Sequence, residues 1–500
     1  GTNGVQYNPY SVPNPIDTNG NLVPGAELLW ETDWNKELRQ DPSLRRNVGV
    51  NVGGGSDKVR YFLSADYLQQ NGYIIHSNFK RITARLNMDA ELRPWLTTGL
   101  NMSVSSSDQN YPTQTGGAAR NAISFPRGIA SIYPLYMRDE QGNLLLDANG
   151  QPQFDFGNAI TGRTFNQNRP ASPNFNAVAV QILDRIQNDR IQASMNTFTE
   201  VRFTDFLRFR TQFGIDRYTL SGLTYNNPLY GDAATASTRG RVTRSRNLTN
   251  SWTWNNMLNF QKSFGVHNVG AMVSSEAYDF NQENLSATRT NFPAPGIYEI
   301  TAGATAEGST SSTNQNRLES YLGRVTYNYD NRYFLEGTIR RDGSTRFAPE
   351  NRWGTFFSVG GSWVISGENF MQSMGFINLL KLRASYGEVG NEALTSYFPY
   401  LSTFSSGWND LGNPGVVLGG IGNPDIRWEK LGTYNVGLDF SVLSNKINGS
   451  VEYFNKNTFD LLFPRPLPPS SGFDDIDENI GSLKNSGIEV TLNTRNITKK

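Results

Sequence analysis

The 500 residues carry 45 Lys plus Arg against 45 Asp plus Glu, a net charge of zero. That balance opposes nucleic-acid binding, which asks for a basic surplus. The absence of cysteine removes disulfides, thiolate nucleophiles and cysteine-held metals. Mean hydropathy is −0.50, and no run reaches the ~18 apolar residues of a membrane helix, although a membrane β-barrel never shows one.

The chain opens GTNGVQ and closes NTRNITKK, close to an apparent strand. Neither end has the look of a natural terminus, and no signal peptide is visible, so the expectation is part of a longer protein. Residues 1–44 read as a loop segment leading into a β structure that fills 45–500. From there the dominant signal is alternation with period two. In ITARLNMDAEL, Ile82, Ala84, Leu86, Met88 and Ala90 share one face, and Thr83, Arg85, Asn87, Asp89 and Glu91 take the other. The pattern recurs in LTTGLNMSV, LRFRTQFGI, WTWNNMLNF, RYFLEGTIRR and TYNVGLDFSV. About fifteen such runs can be counted, many of them ~10–14 residues long where a usual strand has ~5–6.

The connections alternate between short and long. Tight links fall around Pro94, Asp205, Gly265, Asp330 and Asn445. Long ones are expected at 108–189, 219–246, 281–315, 389–426 and 460–484. A soluble pair of β-sandwiches has no reason to sort its loops in this way. An all-β, transmembrane, antiparallel up-and-down β-barrel does, with long loops at the extracellular rim and tight turns at the other. Lipid then meets the apolar face, and charged residues line the lumen. Trp95, Tyr329, Tyr333 and Trp428 sit near strand ends and are expected in the interfacial girdle.

The pieces that remain carry a resemblance. They are TDW at 32–34, GGSDKVRYFLSADYLQQNGYI at 54–74 and RYFLEGTIRRDGSTRFAPENRWGTFFSVGGSWVISGENFM at 332–371. LKLRASYGEVGN at 380–391, NPDIRWEKLGTYNVGLDF at 423–440 and NIGSLKNSGIEV at 479–490 complete them. In this order they resemble the SusC/RagA family of TonB-dependent outer-membrane transporters of Bacteroidota. The resemblance implies a barrel of about 22 strands around a plug domain, with about fifteen strands present here and the plug absent. It also implies import of oligomeric nutrients, glycans first and peptides second, and no enzyme activity. The implied partners are a SusD-like surface lipoprotein at the outer mouth, TonB through an N-terminal part preceding Gly1, and outer-membrane lipid.

Chemistry at single residues is sparse. His76 and His267 are the only histidines and fall at opposite rims. The acidic stretch FDDIDENIG at 473–481 lacks the order of an EF-hand loop and reads as a solvated loop face. No catalytic residue, metal or cofactor is expected. An oligosaccharide or peptide ligand would need aromatic faces and polar partners. Trp408, Tyr397 and Tyr400 in one loop, with Tyr225 and Tyr230 in another, are the candidates, and loop packing is the competing role for each. Two other functions stay open: a loop-rich barrel acting as receptor or adhesin, and a soluble secreted β-rich protein acting on glycans.

Overall fold

The computed structural model describes residues 8–112, 121–139, 141–157, 169, 175–230 and 233–496. Eight strands come first: β1 (Arg45–Gly55), β2 (Val59–Asn71), β3 (Asn78–Arg93), β4 (Leu96–Tyr111), β5 (Arg185–Thr204), β6 (Leu207–Asn226), β7 (Arg241–Phe264) and β8 (His267–Thr290). Next come β9 (Thr305–Tyr329), β10 (Tyr333–Ser344), β11 (Trp353–Val364) and β12 (Ile377–Asn391). A separate hairpin, β13 (Thr403–Asp410) and β14 (Asn413–Gly420), precedes β15 (Glu429–Val442) and β16 (Ile447–Phe459). A second hairpin, β17 (Leu462–Pro466) and β18 (Asp475–Asn479), precedes β19 (Ser482–Thr494). Leaving out the two hairpins, fifteen strands form one antiparallel sheet in chain order from β1 to β19. A single sheet rules out the stacked sandwiches that a soluble protein would need.

The tight turns have a local cause. Asp330 and Asn331 both take positive φ, 50° and 51°, the type I′ geometry whose twist matches the flanking strands and which Asp and Asn tolerate. The resulting register sets Leu335 opposite Tyr327 and Gly361, and Ile339 opposite Gly323 and Phe357. A slip of one residue would turn all of these to the other face. Leu335, Ile339, Val325 and Val359 are each 55–59% exposed, on a face that runs from Val50 on β1 through Met102, Trp254 and Tyr434 to Val490 on β19. A continuous apolar face of this extent cannot rest in water.

Its height can be estimated from its aromatic borders. On β11, Trp353 marks one end and Trp363 the other. Ten residues at ~3.4 Å each, tilted by ~40°, rise ~26 Å, close to the ~25 Å apolar band of outer-membrane barrels.

The long strands depart from the sequence reading. β7, β8 and β9 run 24, 24 and 25 residues, so the connections expected at 219–246 and 281–315 contract to 227–240 and 291–304. Hydrogen-bonded polar pairs continue the ladder beyond the bilayer. Thr243 and Thr288 share a 2.9 Å hydrogen bond, and Asn247 donates to Asn284 at 2.5 Å. Alternation of hydrophobicity cannot signal a strand whose two faces both meet water.

Three buried clusters lie on the long-connection side. The largest joins the segment before β1 to the connection between β4 and β5. α1 (Trp34–Leu38), α2 (Phe125–Gly128) and α3 (Ala177–Leu183) pack there, with Trp34 edge-on to Phe125 at 5.1 Å. Asp33 caps α1 through the amides of Asn35 and Lys36. Buried Asn176 caps α3 and also donates to the Leu135 and Asp155 carbonyls. The second cluster holds Leu223, Tyr225, Val242 and Phe292. The third holds Phe347 and Ile426, both fully buried, with Phe356 and Trp428.

Trp428 is therefore misplaced by the sequence reading. It packs against Phe347 and Phe356 at 5.3 and 5.7 Å, and its Nε1 donates to the Arg352 carbonyl at 2.8 Å. It precedes the first residue of β15, so the strand's in–out alternation does not govern it, and it turns into the loop-side cluster.

Two outcomes test this architecture. In the protein folded into phospholipid bilayers, Leu335→Arg is expected to lower unfolding stability by about 2–4 kcal/mol, read from denaturant titration; a variant as stable as the parent would mean that this face does not meet hydrocarbon. Trp428→Ala is expected to cost about 3–5 kcal/mol locally. The measurable sign is faster protease cleavage within 392–428, whereas a girdle tryptophan would leave cleavage unchanged.

Candidate functional site on the inner face

The inner face is concave. A hollow of about 800 Å³ is walled by residues of seven consecutive sheet strands, β7 to β12 and β15. Its floor is made of small side chains, among them Gly270, Ser358, Gly360, Ser385 and Gly387. The same alternation that turns Leu335 and Ile339 outward turns Glu336 and Arg340 inward.

Charged residues on this face are matched to one another, across strands and, for Arg340 with Asp342, along β10. Arg324 meets Glu336 at 2.9 Å, and Arg383 meets Glu452 at 2.7 Å and Asp439 at 3.3 Å. Arg340 reaches Asp342 at 2.7 Å and Glu276 at 3.2 Å, and also donates to the Ser320 hydroxyl. Cross-strand pairing of this kind keeps the charges desolvated only in part and holds neighbouring strands in register.

At the long-connection end, the segment after β12 folds inward over the wall. Tyr397 lies parallel to Phe280 of β8 at 6.1 Å and 3°, and the Arg346 guanidinium sits 4.6 Å over the Tyr397 ring. Arg346 is held by donation from Nη1 to the Leu394 carbonyl at 2.8 Å. Glu392 accepts from Asn316 at 3.2 Å, and Asn316 in turn accepts from Thr345. These residues thus come from four elements: β8, β9, the β10–β11 turn and the β12–β13 connection. Glu392 Oε2 and Arg346 Nε are buried without a hydrogen-bond partner among the described residues. An unpaired acceptor and an unpaired donor beside an aromatic face suit recognition of a polar ligand. Neither His76, in the β2–β3 turn, nor His267, bonded to the Tyr327 hydroxyl at 2.8 Å, comes near these groups.

The other sequence candidates scatter. Tyr225 is 1% exposed, accepts from the Gly296 amide at 2.8 Å and packs edge-on to Tyr298, so it holds loops together and presents no face to a ligand. Tyr230 stacks on Phe156 at 3.7 Å. Tyr400 packs at the edge of the Phe347–Trp428 cluster. Trp408 is exposed on β13, away from the Tyr397 stack. Trp95 and Tyr333 are exposed at the short-turn rim, with Tyr329 ring-to-ring with Tyr333 at 6.1 Å.

The acidic stretch forms β18, where Glu478 pairs with Arg465 of β17 at 2.5 Å. Burial, and secondarily Asp475, pushes the Asp477 carboxyl above its ordinary range. Among the described residues no group of three or more His, Asp or Glu is placed to hold a metal ion. Sequence reasoning missed Glu392 and Phe280 and took Arg346 only as part of a charged hairpin, because their convergence depends on an inward fold that no local pattern announces.

Comparison with known proteins agrees with this geometry. The family described as TonB dependent receptor-like, beta-barrel matches residues 157–496. TonB-dependent receptor P3 of Formosa agariphila is 32% identical over 94% of this chain and 45% of its own length. TonB-dependent receptor SusC of Bacteroides thetaiotaomicron is 28% identical over 96% of this chain and 48% of its own. The solved RagAB peptide transporter superposes with a TM-score of 0.75 at 22% identity, covering 92% of this chain and 49% of that one. The chain thus spans about half the length of the relatives it matches. A family match over two thirds of the chain, on one antiparallel sheet with a lipid-facing exterior, makes the conclusion plain: this chain belongs to the TonB-dependent receptor-like β-barrel family and resides in the outer membrane.

Proposed function

We propose that this chain forms wall and mouth of a TonB-dependent importer of oligomeric nutrients, glycans before peptides. The observation that carries the reading is the Arg346–Tyr397–Phe280 stack beside the unpaired Glu392 oxygen, at the mouth of a wall of this family. A sugar ring offers apolar C–H groups to the rim of this aromatic stack and hydroxyls to Glu392 and Arg346. The resemblance to SusC, and that protein's place among TonB-dependent receptors, supports energised uptake over passive diffusion. Peptide import is the second reading, supported by the RagAB peptide transporter, whose likeness at 22% identity speaks for fold.

The partners follow from the same reading. A SusD-like lipoprotein covers the long-connection mouth, where the β13–β14 hairpin exposes Phe404, Trp408 and Val416. TonB acts through the part of the receptor outside these 500 residues. A receptor or adhesin role would use the same outer connections without transport.

Deleting the gene in its host is expected to abolish growth on one polymeric nutrient and spare growth on its monomer. Unimpaired uptake of every polymer tested would favour the adhesin role. With that polymer as ligand, Tyr397→Ala in the receptor is expected to weaken binding about tenfold, or ~1.4 kcal/mol, by calorimetry. Tyr397→Phe should bind nearly as the parent does, because the rim of the stack remains.

A further inference from the structure

The connection between β11 and β12 is unlike its neighbours. The other short-side turns take two to four residues, while this one runs from 365 to 376. Two 3₁₀ turns, Ile365–Gly367 and Asn369–Met371, shape it. It is no simple spacer, because it leaves Phe370 63% and Phe376 56% exposed, with Met374 exposed beside them. No side chain from 369 to 376 is charged.

What this segment touches decides where it lies. Glu368 accepts from the Tyr333 hydroxyl at 2.6 Å, from Trp363 Nε1 at 3.0 Å and from Arg332 Nη1 at 2.9 Å. Tyr333 and Trp363 are partners in the β10–β11 register and stack at 6.2 Å and 8°. Both belong to the outward face, one alternation step from Leu335 and Gly361. A carboxylate that gathers the polar tips of two outward aromatics hooks the segment onto the outside of the wall. The segment therefore lies beside the sheet's lipid-facing belt and away from the lumen. At its far end the Phe376 carbonyl accepts from the Leu443 amide in the β15–β16 turn, where Leu443 is again exposed.

We propose that residues 365–376 form an in-plane membrane anchor, with Phe370, Met374 and Phe376 seated in the phospholipid interface of the periplasmic leaflet. Short turns face the periplasm in outer-membrane barrels, and the apolar surface is continuous with the belt that hydrocarbon already wets. The lack of charge in 369–376 suits an acyl boundary, and Glu368 keeps its own charge matched to Arg332 while it serves the two rings. The proposal rests on fold and location alone and stands apart from the choice of substrate.

The chain contributes no cysteine, so once any cysteine elsewhere in the receptor is replaced by serine, single labels are readable in the protein reconstituted in phospholipid vesicles. Nitroxides at Phe370→Cys and Phe376→Cys are expected to collide more with oxygen than with a water-soluble nickel chelate. Their depth should lie ~5–10 Å into the headgroup and acyl boundary. A label at Asp57→Cys, in the β1–β2 turn, serves as the aqueous reference. Nickel collision at 370 and 376 equal to that at 57 would overturn the anchor. Shielding from both reagents would show a protein covering the patch and would overturn it equally. Adding Glu368→Ala should raise nickel collision at 370 severalfold as the hook releases, and no change would refute the hook. Because that variant can fail to fold, the label at 376 in the parent background decides the membrane seat by itself.

Discussion

Hydrocarbon offers no partner to a backbone amide, and the whole molecule follows from that constraint. Within the fifteen-stranded sheet every strand between β1 and β19 is bonded on both sides, and the order in the sheet is the order in the chain. A meander is the simplest way to satisfy every amide at once, since antiparallel neighbours need only a short turn. The same constraint applies to the N–H and C=O groups along the outer edges of β1 and β19 wherever these lie at membrane depth. Val50 on β1 and Val490 on β19 carry the apolar face right up to these edges.

Once the backbone is satisfied, the side chains are free to divide their work by face. Outward positions need only be apolar and, at the borders, aromatic. Inward positions carry the charged and small residues, with Arg383 held between Asp439 and Glu452 and a glycine–serine floor below. The small floor keeps the hollow open, whereas the ion pairs stiffen the wall around it. Neither feature distinguishes one ligand from another. That task falls to the connections, which can vary without disturbing the sheet.

How far this was legible depends on how many residues each feature needs. The sheet was legible because each strand repeats its signal several times, as in Tyr333, Leu335 and Ile339, and because loop lengths alternate along the chain. Strand length beyond the bilayer was not, since Thr243, Asn247 and their partners carry no period that a sequence reader could count. Trp428 looked like a girdle residue because the strand rule was extended one position past its end. The mouth was half legible. Tyr397 was named from its residue type, but Arg346, Glu392 and Phe280 come from elements far apart in the chain, and only the fold brings them together. A local signal did exist for part of the loop structure. Asp17, Asp139 and Asp147 each accept the amides two and four residues on, with Gly20, Gly142 and Gly150 at positive φ. These are three copies of one Asp-to-Gly turn that would have announced hairpins.

The placement of the mouth residues has a mechanical logic. The Phe347–Trp428 cluster ties the β10–β11 turn to both ends of the connection after β12, through Leu394 and Tyr400 on one side and Ile426 on the other. Between those ties the β13–β14 hairpin stands free, bonded only to itself, and a lone hairpin is at best marginally stable in water. A rigid root with a loose tip is what a mouth needs if recognition is to survive motion. Tyr397 and Arg346 sit at the root, so their stack keeps its geometry while the hairpin beyond them moves. Sequence change in the tip can then leave the Tyr397–Arg346 pair referenced to the wall.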